Sequence, residues 1–193
     1  AARYLITATG FLSQPHTPEI AGVHDFEGTV IHTADWDDSF DPTGRRIGII
    51  GTGATAVQLI PEMARQAADL TVYQRTPIWV VPKVDIVFPT WAKRLFARVP
   101  ITQRAIRIIT DAIYEFFIFV GLHHRQRLFH LLNLGAAGIA KLFRDVMIRD
   151  PQLRAELTPD YDLGCKRPTF SNRYYRAFTK PTVHLQTGGI ERI

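Results

Sequence analysis

The sequence has 193 residues, 46% of them hydrophobic and 21% charged, which allows one large domain or two small ones and excludes disordered, collagenous and disulfide-scaffold classes. Its net charge of +5 comes from 23 Lys and Arg against 18 Asp and Glu, with no long basic block and no basic–aromatic interleaving, which argues against a nucleic-acid partner; arginines also suit phosphate-bearing cofactors. The single cysteine, Cys165, rules out an intrachain disulfide and a multi-cysteine metal site, and fits a cytoplasmic protein.

The first six residues run straight into a strand-like segment with no initiator Met or signal peptide, and the chain stops at Ile190-Glu191-Arg192-Ile193 just after a strand and a Gly-Gly turn. These ends are read as those of an internal section of a longer protein. Residues 4–8 read as a short buried strand closed by Thr9-Gly10 and followed by a Pro-rich connector. Residues 28–32 read as a second extended piece, before the acidic turn Asp35-Trp36-Asp37-Asp38 and the loop Asp41-Pro42-Thr43-Gly44. Nothing in this stretch is helical in pattern.

At Arg46 the pattern changes. Ile47-Gly48-Ile49-Ile50 is an almost continuous apolar run, suited to a parallel strand buried on both faces. After a glycine loop, Val57, Leu59, Ile60, Met63, Ala64 and Ala67 recur at helical spacing, with Pro61 expected to kink or interrupt the helix. Residues 70–73 form the next strand, so 46–74 reads as a βαβ unit. Residues 88–149 are mostly helical in pattern. Within them 106–122 is the most apolar stretch, but Arg107, Asp111 and Glu115 exclude a membrane-spanning helix. Their i,i+4 spacing puts the charges on one face and directs Ile108, Ile109, Ala112, Ile113, Phe116 and Phe119 inward; association with a membrane surface is the alternative. After Asp150-Pro151 the chain reads as loop-rich until a strand at 182–186.

The glycine loop Gly51-Thr52-Gly53-Ala54-Thr55-Ala56 follows a strand and opens a helix, the context in which G-x-G-x-x-G/A is informative. Gly51 permits the tight turn, Gly53 lets backbone approach a pyrophosphate, and Ala56 allows close helix–strand packing. The first-turn N–H groups and the helix dipole then bind the anion, with Gln58 one turn further on. About 20 residues later a dinucleotide site shows either an acid for the ribose 2′-hydroxyl or a base for a 2′-phosphate. Here the strand ends Val72-Tyr73-Gln74-Arg75-Thr76, with no acid and with Arg75 in that place. Arg75 favours NADPH over NADH, because guanidinium pairs with the phosphate an acid would repel.

Upstream lies Phe26-x-Gly28-x-x-x-His32-x-x-x-Trp36-Asp37. On physical grounds alone, His32 is better explained as a structural hydrogen-bonding residue than as a catalyst. The run as a whole resembles the fingerprint of Baeyer–Villiger monooxygenases, a class of flavin-containing monooxygenases. Ala8-Thr9-Gly10 resembles the segment in which that family's chain leaves its FAD domain. Gln74-Arg75-Thr76-Pro77-x-Trp79-x-x-Pro82 resembles the strand end that grips the NADPH 2′-phosphate. Asp150-Pro151-x-Leu153-Arg154, Leu157-Thr158-Pro159-x-Tyr161 and Gly164-Cys165-Lys166-Arg167-Pro168 resemble the return to the NADPH domain.

The resemblance implies an α/β fold: a Rossmann-like NADPH-binding domain with a helical insertion, plus the edge of an FAD-binding domain. It divides the chain into a connector (1–44), the first part of the NADPH domain (45–87), the insertion (88–150) and the return (151–193). It also implies FAD and NADPH as cofactors, with O₂ and a small-molecule ketone or heteroatom compound as substrates. By the same resemblance Arg167 stabilises the negatively charged peroxyflavin, Lys166 contacts the NADPH phosphate beside Arg75 and Thr76, and His32 and Trp36 position cofactor between domains. Ala54-Thr55 departs from the Ser-rich pair common in the loop, and Asp162 stands where proline is frequent. No G-x-G-x-x-G for FAD precedes residue 51, and the catalytic acid expected in an N-terminal FAD domain is absent. A different flavin-containing or N-hydroxylating monooxygenase and a non-catalytic NADP-binding module stay open as alternatives. Substrate identity and oligomeric state are not encoded in these motifs.

Overall fold

The structure is a computed structural model that describes residues 3–4, 15–83, 85, 87–122 and 127–193. Its central element is a parallel sheet of three strands, β1 (Arg46–Ile50), β2 (Asp69–Tyr73) and β5 (Val183–Gln186), in the order β1-β2-β5. Helix α1 (Ala54–Gln66) makes the crossover from β1 to β2, so the expected βαβ unit is present, with Arg46 opposite Asp69 and Ile50 opposite Tyr73. The core follows from two periodicities. Ile49, Leu70, Val72 and Val183 meet Val57, Ile60, Met63 and Ala64 of α1 on one face of the sheet, and Tyr174, Tyr175 and Phe178 belong to the same cluster, with Val80, Ile148, Leu157 and Ala177.

Helix α1 runs through Pro61 without interruption. Proline removes one backbone donor, but Val57 and Ile60 are fully buried on the face that packs against the sheet, and that burial outweighs one lost bond. Strand β1 is not buried on both faces: it is an edge strand among the described residues, and Ile50 is 49% exposed.

Between β2 and β5 the chain makes a helical excursion. It leaves at β3 (Val80–Val81) and returns at β4 (Thr169–Phe170), which pair in parallel. The excursion holds α2 (Thr90–Arg98), α3 (Pro100–Leu122), α4 (Arg127–Met147) and α5 (Pro151–Glu156); α6 (Tyr174–Ala177) follows before β5. The segment after Asp150-Pro151 is therefore less loop-rich than its composition suggests. Asp150 caps α5 by accepting from the Gln152 N–H at 2.9 Å, with Pro151 at the first helical position. A small second cluster joins Trp79, Ala140 and Leu163.

The helix expected over 106–122 is present inside α3, but its apolar residues do not turn inward: Ile108 is 62% exposed, Ile113 52% and Phe116 52%. Periodicity places them on one side of a helix; nothing described packs closely enough there to bury them. No helix among the described residues is long and apolar enough to cross a membrane. Tyr4 is exposed and outside any strand, the rest of the strand expected at 4–8 and the Ala8-Thr9-Gly10 motif lie outside the described residues, and residues 28–32 form no strand.

Candidate functional site

The C-terminal ends of β1 and β2 build the site. Gly51, at φ +104°, makes the turn out of β1 in a backbone region that side chains avoid. Its N–H donates to the Tyr73 carbonyl at 2.9 Å, and the buried Thr52 hydroxyl donates to the Thr76 carbonyl, also at 2.9 Å. Two bonds thus fasten the glycine loop to the strand end that carries Arg75. Thr52, expected as a cofactor ligand, uses its side chain as this strut.

Gly53 is the N-cap of α1, with φ −68° and ψ −178°, and no side chain caps the helix. A Cβ built on Gly53 would meet no atom within 4 Å. Neither backbone conformation nor packing therefore requires glycine at 53, although a close-approaching ligand would. Ala54 and Thr55 are exposed, Ala56 is half-buried against the core, and the first turn contains no acidic residue. Gln58 donates back to the Ala54 carbonyl at 3.3 Å and stays on the surface. An uncapped N-terminus without negative side chains suits an anion. Arg75 is exposed and forms no ion pair among the described residues, and Thr76 beside it is half-buried. This set fits the phosphates of a dinucleotide.

The return segment is bonded to the same strand end. Buried Gln74 donates to the Glu156 carbonyl at 2.7 Å, the Trp79 indole N–H donates to the Tyr161 carbonyl at 2.8 Å, and the Tyr161 hydroxyl donates to the Pro77 carbonyl at 3.0 Å. Burial pushes the Tyr161 phenol up, which keeps it protonated as a donor. Gly164 turns the chain at φ +102° into Cys165, Lys166 and Arg167, all exposed. The Lys166 ammonium lies 4.5 Å from the centre of the Tyr161 ring. Arg167 has no ion-pair or hydrogen-bond partner among the described residues. The sequence reading missed Tyr161 and Trp79 as organisers; their partners lie more than eighty positions away in the chain.

The fingerprint forms a separate local structure. Gly28 leaves room for the Phe26 ring, which a Cβ at 28 would strike at 2.4 Å. His32 is half-buried, and its Nδ1 accepts from the Ala34 N–H at 3.1 Å. Trp36 meets Phe40 edge-on, and the Arg45 guanidinium lies 5.5 Å from the Phe40 ring centre, linking this connector to the start of β1. The Asp37 carboxylate accepts from both the Ser39 hydroxyl and N–H, which hold its pKa below the ordinary carboxylate range. Among the described residues no hydrogen bond or ring contact joins His32, Trp36 or Asp37 to the glycine loop. No cluster of potential metal ligands occurs among the described residues.

Comparison with known proteins gives one consistent grouping. The family model described as flavin-binding monooxygenase-like matches residues 3–125. A Baeyer–Villiger monooxygenase of Streptomyces coelicolor is 38% identical over the full chain, which spans 36% of that relative, and one of Pseudomonas aeruginosa is 35% identical with the same coverage. The polycyclic ketone monooxygenase structure from Thermothelomyces thermophila superposes with a TM-score of 0.76 at 31% identity, covering 96% of this chain and 36% of that one. A structure titled as OTEMO complexed with FAD and NADP superposes at 0.71 with 28% identity, over 93% of this chain and 40% of that one. The chain thus spans little more than a third of the proteins it matches. With a family model that matches residues 3–125, relatives 35–38% identical along the whole chain and a shared α/β fold, the chain belongs to the flavin-binding monooxygenase-like family.

Proposed function

We propose that this chain is the NADPH-binding section of an FAD- and NADPH-dependent monooxygenase that inserts one oxygen atom of O₂ into a ketone, or transfers it to a nitrogen or sulfur atom. In the ketone reaction, ketone, O₂, NADPH and a proton give ester, NADP⁺ and water. The observation that carries the NADPH assignment is the fastening of the glycine loop to the Arg75 strand end through Gly51–Tyr73 and Thr52–Thr76. That contact sets an uncapped helix N-terminus and a guanidinium with no ion pair among the described residues on one sheet edge, the pattern needed for a pyrophosphate and a 2′-phosphate. The Baeyer–Villiger relatives support the reaction class.

In this reading residues 45–87 and 151–193 form a Rossmann-like NADPH domain, 88–150 an insertion, and 1–44 the edge of an FAD domain with its connector. Gly51, Gly53 and the first-turn amides of Ala54, Thr55 and Ala56 bind the pyrophosphate. Arg75, Thr76 and Lys166 take the 2′-phosphate. Bound FAD supplies electron transfer from NADPH and activation of O₂. The Arg167 guanidinium, without an internal partner among the described residues, is available to stabilise negative charge at the flavin face. His32, Trp36 and Asp37 stiffen the connector between cofactor domains. The full-length protein, given NADPH, a cyclic ketone and ¹⁸O₂, should yield an ester or lactone carrying one ¹⁸O atom. NADPH consumption with release of hydrogen peroxide alone, across ketones, sulfides and amines, would overturn the oxygenase assignment.

A further inference from the structure

Tyr161 occupies an unusual position between the two candidate phosphate-binding segments. Its hydroxyl holds the Pro77 carbonyl at 3.0 Å, its own carbonyl is held by the Trp79 indole at 2.8 Å, and its ring carries the Lys166 ammonium at 4.5 Å. The post stands on a firm base. Trp79 is 4% exposed and Leu163 7%, both packed with Ala140 of α4, and buried Asn133 of α4 donates to the Leu163 carbonyl. Ring and carbonyl are therefore set by packed elements, while Lys166 itself is exposed.

We propose that Tyr161 is a positioning residue for 2′-phosphate recognition: it pins the return segment to the Arg75-Thr76-Pro77 strand end and holds the Lys166 ammonium beside it. Chained through the ring, these contacts keep that ammonium within about 10 Å of the Pro77 carbonyl, two residues from Arg75. An ammonium already held beside the strand end loses less side-chain freedom on meeting a phosphate than one that must first be immobilised. The inference rests on the NADPH reading and adds to it a residue that touches no cofactor and acts through Lys166.

The test is calorimetric titration of NADP⁺ and NAD⁺ into full-length, FAD-loaded protein, since the two ligands differ only in the 2′-phosphate. An exposed to partly desolvated cation–π contact corresponds to roughly threefold to tenfold in affinity. Tyr161→Leu should weaken NADP⁺ binding by about fivefold and leave NAD⁺ within about twofold. Tyr161→Phe, which keeps the ring and loses the Pro77 bond, should lose about threefold for NADP⁺ alone. Lys166→Ala should match Tyr161→Leu, and in the Lys166→Ala background neither Tyr161 substitution should lower NADP⁺ affinity further. Equal losses for both ligands, or Tyr161 effects that persist without Lys166, would show an ordinary packing role and overturn the proposal. Arg75→Ala separates the two levels. If it leaves the NADP⁺/NAD⁺ ratio unchanged, the 2′-phosphate reading falls and this inference with it; if it lowers the ratio while Tyr161→Phe and Tyr161→Leu do not, only the inference fails.

Discussion

Gly53 and Gly51 sit two residues apart in one loop, and the structure assigns their glycines to different causes. At Gly53 the backbone is at φ −68° and ψ −178°, open to any residue, and an added Cβ meets nothing within 4 Å. Gly53→Ala should gain about 0.4–1 kcal/mol by restricting the unfolded chain. It should lose a similar amount, roughly 0.5–1 kcal/mol, because alanine is a poorer N-cap than glycine. The net change in stability is then within about 0.5 kcal/mol. The same methyl group would stand where backbone N–H groups must come to about 2.9 Å from a pyrophosphate oxygen, so NADP⁺ affinity should fall by at least about tenfold. At Gly51 the backbone is at φ +104°. Gly51→Ala should cost about 1–3 kcal/mol in the fold itself and so lower the Tm. Thermal melting with NADP⁺ titration on both variants of the full-length protein separates the effects. A Tm loss in Gly53→Ala equal to that of Gly51→Ala would mean that the fold needs glycine at 53. Unchanged NADP⁺ affinity in Gly53→Ala would mean that no phosphate approaches this loop.

Two pH responses follow from the packing around α1 and α6. The Arg173 guanidinium, hydrogen-bonded to Glu62 at 2.6 Å, holds the Glu62 carboxyl below the ordinary carboxylate range. A lowered folded-state pKa contributes stability above the unfolded carboxylate value, and that contribution is lost as pH falls through the lowered one. Arg65, 3.4 Å from the same carboxylate, lowers it less, so Arg173→Ala should move Glu62 up toward the ordinary range in a carbon-detected NMR titration; an unmoved midpoint would refute the contact. On the alkaline side, burial pushes the Tyr175 hydroxyl up to about 12 and raises Tyr174 as well. Raised phenol values contribute stability that is complete below the unfolded value of about 10 and is lost as pH rises through the folded ones. Unfolding midpoints should therefore drop steadily above pH ~10, and two tyrosines ionising at 295 nm only with unfolding would be the accompanying signature. Ionisation of Tyr174 and Tyr175 near pH 10 in the folded protein would contradict their buried placement.

The βαβ unit was legible because two periods meet there without conflict: the apolar run of β1 and the helical recurrence of Val57, Ile60 and Met63 report the same core. The placement of the glycine loop at the start of α1 and of Arg75 just past β2 was legible because that spacing is local. Burial of α3 was not, since periodicity tells which residues share a face and not what stands opposite it. Pro61 misled because propensity was read without the packing that overrides it. The α5 start at Asp150-Pro151 carried an N-cap and N1 signature that could have been recognised. The Tyr161 clamp was out of reach from one sequence, since its bonds to Pro77 and Trp79 close over 84 and 82 residues. Thr52 shows a subtler failure: the loop motif locates the residue, but only the Thr76 carbonyl 2.9 Å away reveals that its hydroxyl ties two segments together.

The central claim is that Arg75 and the glycine loop deliver NADPH to a flavin. Rapid anaerobic mixing of the full-length, FAD-loaded protein with NADPH or NADH, followed at the flavin absorbance band, tests it most directly. The band should bleach much faster with NADPH than with NADH, and Arg75→Ala should remove most of that preference. Bleaching at equal rates by both nucleotides in the unmodified protein, or no bleaching by either, would contradict the account.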